Sequence, residues 1–327
     1  MKISVILINY NGEKFLKDCL DSVFSQTLKP EEIMVADNAS ADRSREIIRK
    51  YPVRTFFHEQ NMGFCRAVNQ CIRLSSGDYI LVLNSDVKLS PEFTAMTSAV
   101  LDRDPRIGIV GGKLLRTDTE TASMIIDSTG QFISKILKPK ERGYGEIDSG
   151  QFNVPGYVFS VCGAAAVYRR TMLEDIKIEE EYLDESFFMY FDDFDLGWRA
   201  QTAGWKVWYE PAALACHTRG ASSKKTESTG LLRRYRLPSL PDNIRIHLIM
   251  NRYLVLVKNC TWRIFLRQFF HVVCYEIALR FYLLFFATRL IPRLFHLPGL
   301  VITALRNRKI IQSRRRSTDE YMRKWVC

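Results

Sequence analysis

The strongest constraint on how this chain folds is an alternation of short apolar runs and helical periods through residues 3–83. Residues 3–8 (ISVILI) form a β-branched run closed by Asn-Tyr-Asn-Gly, which reads as a buried strand entering a loop. Phe15, Leu16, Cys19, Leu20, Val23 and Phe24 then recur at three- and four-residue spacing, one apolar helix face that begins near Gly12. The pattern returns with a strand at 33–36 ending on Asp37, a helix through Ile47 and Ile48, and a strand at 55–57. A helix carrying Arg66 and Asn69 and a strand at 79–83 (YILVL) complete it. Strands alternating with helices predict an α/β fold with a doubly wound, mainly parallel sheet.

Such a sheet takes ligands in the crevice beyond the carboxyl ends of its strands. Asn9, Asp37 and Asp86 each stand at such an end, with Asn84 just before Asp86. Each alone is also an ordinary turn residue. Residues 114–155 have mixed charge and scattered Gly, an excursion expected to hold short hairpins or substrate contacts. Residues 161–167 (VCGAAAV) are small enough for close backbone approach or a tightly packed strand.

The densest signal lies in residues 182–222. Asp192, Asp193 and Asp195 sit where an aromatic run gives way to a helix, Arg199 lies on that helix, Gly204 ends it, and His217 and Ser222 follow the next strand. Carboxylates at a helix start satisfy free N–H groups and complement the helix dipole. Three together repel one another and call for a cation or a task. Asp195 and Arg199, four apart, are expected to pair on one helix face, which leaves Asp193 as the carboxylate aimed at the crevice.

Taken in order, VILINYNG, VADNASAD, NMGFCRAVN, LNSD, the small run around Gly163, FDDFDLGWR and HTRGAS resemble the family 2 glycosyltransferases of GT-A fold, over about residues 3–222. The likeness is strongest to the bacterial rhamnosyltransferase-like branch. The resemblance implies an inverting enzyme that moves a sugar from a nucleoside-diphosphate sugar, dTDP-rhamnose or a UDP-sugar, to a hydroxyl of a glycan or polyprenyl-linked acceptor in cell-surface polysaccharide synthesis. It implies Asp193 as the catalytic base, with Asp192 and Gly163 on the acceptor side. Asn9, Asp37, Gly63, Arg66, Asn84 and Ser222 fall to the donor nucleotide and diphosphate, and Asp86 and His217 to a divalent metal, Mn or Mg. Read without the resemblance, Gly63 and Arg66 suit a loop and a helix surface equally well.

Those residue types suit the chemistry. A divalent cation on oxygen and imidazole ligands neutralises the charge that grows on the leaving diphosphate. A carboxylate that takes the acceptor's proton contributes roughly a hundred- to ten-thousand-fold. One base and no covalent intermediate mean a single displacement, so the anomeric configuration inverts. Two positions depart from the family pattern: Asn84 stands where the first Asp of an Asp-x-Asp often lies, and Asp192 where Glu is commoner. Asn84 is the best support for a rival reading, a silent nucleotide-sugar-binding or scaffold protein of a membrane glycan assembly. Phosphoryl- and hydride-transfer motifs are absent, since Gly111-Gly112-Lys113 lacks P-loop spacing and no GxGxxG follows the first strand.

Charge divides the chain. Of 47 Lys and Arg and 36 Asp and Glu, residues 251–327 hold 15 and 3, leaving 32 against 33 in residues 1–250. The expectation is a neutral catalytic domain over 1–250 and a basic helical tail over 251–327. A basic tail with apolar runs suits an anionic membrane surface, whereas a nucleic-acid binder would carry its basic stripe on the folded face. In residues 262–305 the longest uninterrupted apolar run, 281–288, falls short of the roughly twenty residues a span needs, and Pro292 and Pro298 should break any long helix. Helices lying in the headgroup region are therefore expected, or helices packed on protein. Eight cysteines without CxxC spacing suit free thiols in a reducing compartment, and the first apolar run is too short for a signal peptide. The expected placement is cytoplasmic, peripheral at the inner face of the cell membrane.

Overall fold

A computed structural model describes residues 1–117, 124–219 and 240–327. All seven residues of β1 (Ile3–Asn9) are buried, the mark of a strand covered on both faces. The alternation continues as α1 (Glu13–Phe24), β2 (Glu32–Asp37), α2 (Ser44–Ile48), β3 (Arg54–Phe57), α3 (Phe64–Leu74) and β4 (Tyr79–Asn84). Next come β5 (Val87–Leu89), α4 (Phe93–Arg103), β6 (Ile107–Thr117), β7 (Met124–Ser128), β8 (Gln131–Ile133) and β9 (Pro139–Glu141). They are followed by β10 (Gly156–Tyr157), β11 (Ala165–Arg169), α5 (Arg170–Ile176), α6 (Asp192–Thr202) and β12 (Lys206–His217). The remainder is helical: α7 (Asp242–Asn259), α8 (Trp262–Phe286), a 3-10 stretch Thr288–His296, α9 (Leu297–Ser313) and α10 (Asp319–Arg323).

The main sheet runs β10-β12-β6-β11-β4-β1-β2-β3. Strands β4, β1, β2 and β3 are parallel, and β11 is inserted antiparallel between β4 and β6. Strand β1 has β2 on one side and β4 on the other, so the winding reverses there and opens a crevice at the carboxyl ends. Register brings the polar ends together: Asn9 pairs with Asp37, and Ile8 with Asn84.

Apolar side chains of α1 and α4 cover one face of the sheet, among them Leu16, Leu20, Phe93 and Leu101. The other face carries α3 and α6 through Val68, Ile72, Phe194 and Trp198, and the same core takes in Leu254 and Val255 of α7, Ala304 of α9 and Trp325. Helix α7 runs without a break through the division expected at residues 250 and 251. The excursion of residues 114–155 does hold a hairpin, β8 and β9, in which Gln131 lies opposite Glu141. The tail grips its far end. Arg252 donates to the carbonyl of Ile136 at 3.1 Å, Lys138 bonds Tyr275, and Ile133 exchanges backbone bonds with Trp325 and Cys327, each 2.9 Å.

Helix α8 differs from expectation. Arg263, Arg267, Glu276 and Arg280 interrupt its apolar sequence without interrupting the helix, because long polar side chains are good helix formers. The result is one helix of 25 residues that is long and apolar enough, by length and composition, to cross a membrane. The two prolines lie beyond it, Pro292 in the 3-10 stretch and Pro298 in the first turn of α9, where a missing N–H costs nothing. One side of α8 is tied to α7, Glu276 accepting from Arg252 and, at 2.6 Å, from the Tyr253 hydroxyl. Only 17% of its apolar window is buried; Phe270, Ile277, Phe281, Leu284 and Phe285 are exposed.

Candidate active site

The first wall of the crevice is built by β1 and β2. Asn9 Nδ2 donates to Asp37 Oδ2 at 2.8 Å and to Ser40 Oγ at 3.1 Å, and Arg45 Nε reaches Asp37 Oδ1 at 2.8 Å. Burial opposes the charge on Asp37, but Ser40, Arg45 and Asn9 outweigh it and hold the carboxyl below its usual range. Next door, Asn38 Nδ2 bonds the carbonyl of Gly63 at 3.1 Å, bringing the loop before α3 to the same wall. Gly63 has φ +86°, and a Cβ there would stand 2.9 Å from the Phe188 ring, so the position needs glycine. Arg66 turns aside to Glu185, 2.7 Å away.

The second wall joins β4 to β12. Asn84 ends β4, its N–H bonded to the Ala164 carbonyl at 2.9 Å, and Asp86 follows in the turn. His217, the last residue of β12, pairs in register with Val87, which places its Nε2 3.4 Å from Asp86 Oδ1. Its Nδ1 lies 2.8 Å from Asp127 Oδ2, and Arg219 Nε meets the other oxygen of Asp127 at 2.5 Å. Burial disfavours a charged His217, yet Asp127 and Asp86 prevail and push it up to about 9. With Nδ1–H committed to Asp127, Nε2 is the nitrogen that can face a ligand.

The donors here fit a divalent cation. Asp86 and His217 Nε2 offer an oxygen and an imidazole on one side, and a cation held between them would displace any proton on Nε2. Asp127 would orient the imidazole from behind. The Cys162 thiol also lies within 4.8 Å of the Asp127 and His217 ligand atoms. Burial, Glu141 and Asp193 push its pKa far above the ordinary range, so it stays protonated beside a hard ion that prefers oxygen. Asp127 was not singled out in the sequence: its only context there is a short apolar run, and 90 residues separate it from His217.

The third wall is the first turn of α6. Tyr190 and Phe191 both hold positive φ, 67° and 70°, a conformation that costs non-glycine residues on the order of 1–3 kcal/mol each. Asn251 of α7 holds this turn, its Nδ2 donating to the carbonyls of Met189 and Tyr190 at 2.8 and 2.9 Å. The turn presents Asp193. Its Oδ2 accepts from the N–H of Gly163 at 2.9 Å and from Gln131 Nε2 at 3.0 Å, and its Oδ1 from the N–H of Phe194 at 2.7 Å. A methyl on Gly163 would sit 3.0 Å from Asp193 Cβ, so the small-residue run is what admits this carboxylate. Burial raises the Asp193 pKa against these three donors. Asp192, buried beside Asp193, is pushed up to about 8.

Asp195 faces the opposite way, into a sealed cluster. Arg199 Nε and Lys258 Nζ each lie 2.9 Å from its Oδ2, and Asn259 Nδ2 2.7 Å from its Oδ1. The ion pair expected with Arg199 is present, and the tail completes it. Ser222 lies outside the described residues.

An open sheet with polar strand ends at its switch point and carboxylates at a helix start on the far side is the GT-A fold. Solved structures share it. GalNAc-T7, crystallised with UDP, GalNAc and Mn2+, aligns with a TM-score of 0.56 at 16% identity, covering 72% of this chain and 48% of that one. The mannosyltransferase PcManGT of Pyrobaculum calidifontis, in complex with GDP-Man and Mn2+, aligns at 0.53 and 14% identity over 96% of this chain and 85% of its own. Residues 4–177 match the family Glycosyl transferase family 2, and the chain belongs to it. Poly-beta-1,6-N-acetyl-D-glucosamine synthase of Staphylococcus aureus is 24% identical over 217 residues, 65% of this chain and 48% of the relative. The chain spans about half the length of the curated relatives it matches.

Proposed function

We propose that this protein is an inverting glycosyltransferase that moves a sugar from a nucleoside-diphosphate sugar to a hydroxyl of a glycan or polyprenyl-linked acceptor in cell-surface polysaccharide synthesis. The observation that carries the reading is Asp193: a carboxylate held by three N–H donors, with no bonded cation among the described residues, across the crevice from the Asn9–Asp37 and Asp86–His217 pairs. It is the group placed to take the acceptor's proton as the new bond forms. The polysaccharide synthase among the relatives and the nucleotide-bearing fold neighbours support the same reading.

In this reading Asn9 and Asp37 meet the nucleotide base, with Gly63 and Arg66 beside it and Asn84 and Ser222 toward the diphosphate. Asp192 and Gly163 border the acceptor. Asp86 and His217 would hold Mn or Mg, whose charge offsets that of the departing diphosphate. An Asp37 acceptor pair suits uracil or thymine, so the donors to try first are dTDP-rhamnose, following the rhamnosyltransferase-like motifs, and UDP-sugars. The exposed apolar side of α8 and the basic residues around it would seat the enzyme on an anionic membrane surface, at the cytoplasmic face, where a lipid-linked acceptor is presented.

The test is nucleoside diphosphate release from a panel of nucleotide sugars with manganese or magnesium, with membrane lipid extract as acceptor source. Metal-dependent release that Asp193→Asn abolishes sustains the proposal. No release from any donor gives the lead to the silent nucleotide-sugar binder that Asn84 favours.

A further inference from the structure

The hairpin β8–β9 brings a second carboxylate to the base. Gln131 Nε2 donates to Glu141 Oε1 at 2.8 Å and to Asp193 Oδ2 at 3.0 Å, so one amide nitrogen bridges both. The other amide atom, Oε1, is buried with no partner among the described residues. Turning the amide over would point that oxygen at two carboxylates, so the charge on Glu141 fixes which way Gln131 faces. Glu141 also accepts from the Ser128 hydroxyl.

Resting on the assignment of Asp193 as the base, we propose that Glu141 is a positioning residue for it: through Gln131 it orients the Asp193 carboxylate, and its negative charge makes that carboxylate a stronger base. Asp193 Oδ2 is filled by two donors, Gly163 and Gln131, whereas Oδ1 holds one, Phe194. The open lone pair on Oδ1 is therefore the one that receives the acceptor's proton. The acceptor oxygen bonds to the anomeric carbon, the bond from that carbon to the diphosphate oxygen breaks, the nucleoside diphosphate leaves with the electron pair, and the hydroxyl proton passes to Oδ1.

The charged groups facing Glu141 are Asp193 from α6 and Arg219 beyond β12, and the Cys162 thiol ahead of β11 senses its charge. On the hairpin's flank Arg142 is turned away, to the Thr129 carbonyl at 2.6 Å. Burial first, and Asp193 second, lift Glu141 to about 7, and the repulsion is mutual: above that pH an anionic Glu141 raises the proton affinity of Asp193.

Two variants separate charge from orientation. Glu141→Gln removes the charge and keeps the volume; Gln131→Met removes the bridging donor and leaves the charge. Nucleoside diphosphate release from dTDP-rhamnose or UDP-N-acetylglucosamine, whichever is turned over, is followed with manganese between about pH 5 and pH 9, where the acid limb of kcat/KM reports the base. Glu141→Gln should move that limb down by roughly half a pH unit or more, and Gln131→Met should move it up. Each should lower kcat roughly tenfold while the donor KM stays within about twofold.

Limbs that stay with wild type overturn the proposal, and so does a fall in kcat with both limbs unmoved, which a structural role alone would give. Should either variant fail to fold, or no donor be turned over, carbon-13 carboxyl titration of Asp193 reads the same shifts at equilibrium in the variant that folds. Asp193→Asn is the control for the underlying reading. If it retains activity, the base assignment fails; if it is inactive while the limbs of the other variants stay put, the role of Glu141 alone fails.

Discussion

Asp193 and Asp195 stand two residues apart on one turn of α6, yet they occupy opposite electrostatic worlds. Asp195 is fully buried and its two oxygens meet Arg199, Lys258 and Asn259, with Asp184 sharing Lys258. Among the described residues Asp193 meets only uncharged N–H donors, and Asp192 beside it is buried without a cation. A helix offers one face to the core and the next to the crevice, so a single turn can hold a structural carboxylate and reactive ones side by side. The difference teaches that a charge is kept for stability where the fold gives it a cation, and for chemistry where the fold withholds one.

The comparison breaks first at the proposed base. Asp193→Asn keeps shape and most hydrogen bonding, so its turnover should drop roughly a hundred- to ten-thousand-fold with no fall in the thermal midpoint, since burial already works against the charge it removes, by donor assay and calorimetry. Lys258→Met should do the opposite. It leaves Asp184 without its cation and Asp195 with Arg199 alone, and urea unfolding should show a loss of about 3–5 kcal/mol, with activity per folded molecule kept. Equal losses of stability in the two variants would erase the distinction between the two sides of α6.

Asp127→Asn sharpens it at the second wall. Removing the carboxylate behind His217 should weaken manganese binding roughly 10- to 100-fold by calorimetric titration, without touching Asp86. The smallest effect is expected at Asp192. Its folded pKa, about 8, lies above the unfolded value of 3.8, so its neutral form stabilises at low pH and that contribution is lost as pH rises toward 8. Asp184 runs the other way: burial opposes its charge but Lys258 prevails, its pKa is held well below the usual range, and its contribution is lost on acidification. Asp192→Asn should therefore raise the thermal midpoint at pH 8 and leave it alone at pH 4, by calorimetry at the two pH values.

Much of this was legible beforehand. The periodicities of residues 3–83 gave β1 to β4 with their helices to within a residue or two at most boundaries, because strands covered on both faces must be apolar and surface helices must be amphipathic. The strand-end residues Asn9, Asp37, Asn84 and Asp86 were readable for the same reason: a parallel sheet exposes its carboxyl ends on one edge. The unbroken length of helix α8 was not legible, because a count of uninterrupted apolar residues says nothing about whether a helix continues through Arg and Glu.

Sequence alone thus determined the parallel strands β1 to β4, the crevice at their ends and the carboxylates at the start of α6, since each follows from local spacing. The four-residue spacing also pointed Asp195 to Arg199 and left Asp193 for the crevice; only the tertiary structure decided which distant groups complete the surroundings of each carboxylate. Lys258 reaches Asp195 across 63 positions, Asp127 reaches His217 across 90, and Gln131 reaches Asp193 across 62. Charge and basicity are set by what lies within a few ångströms in space, and no local pattern records the partners that the closing of the chain brings there.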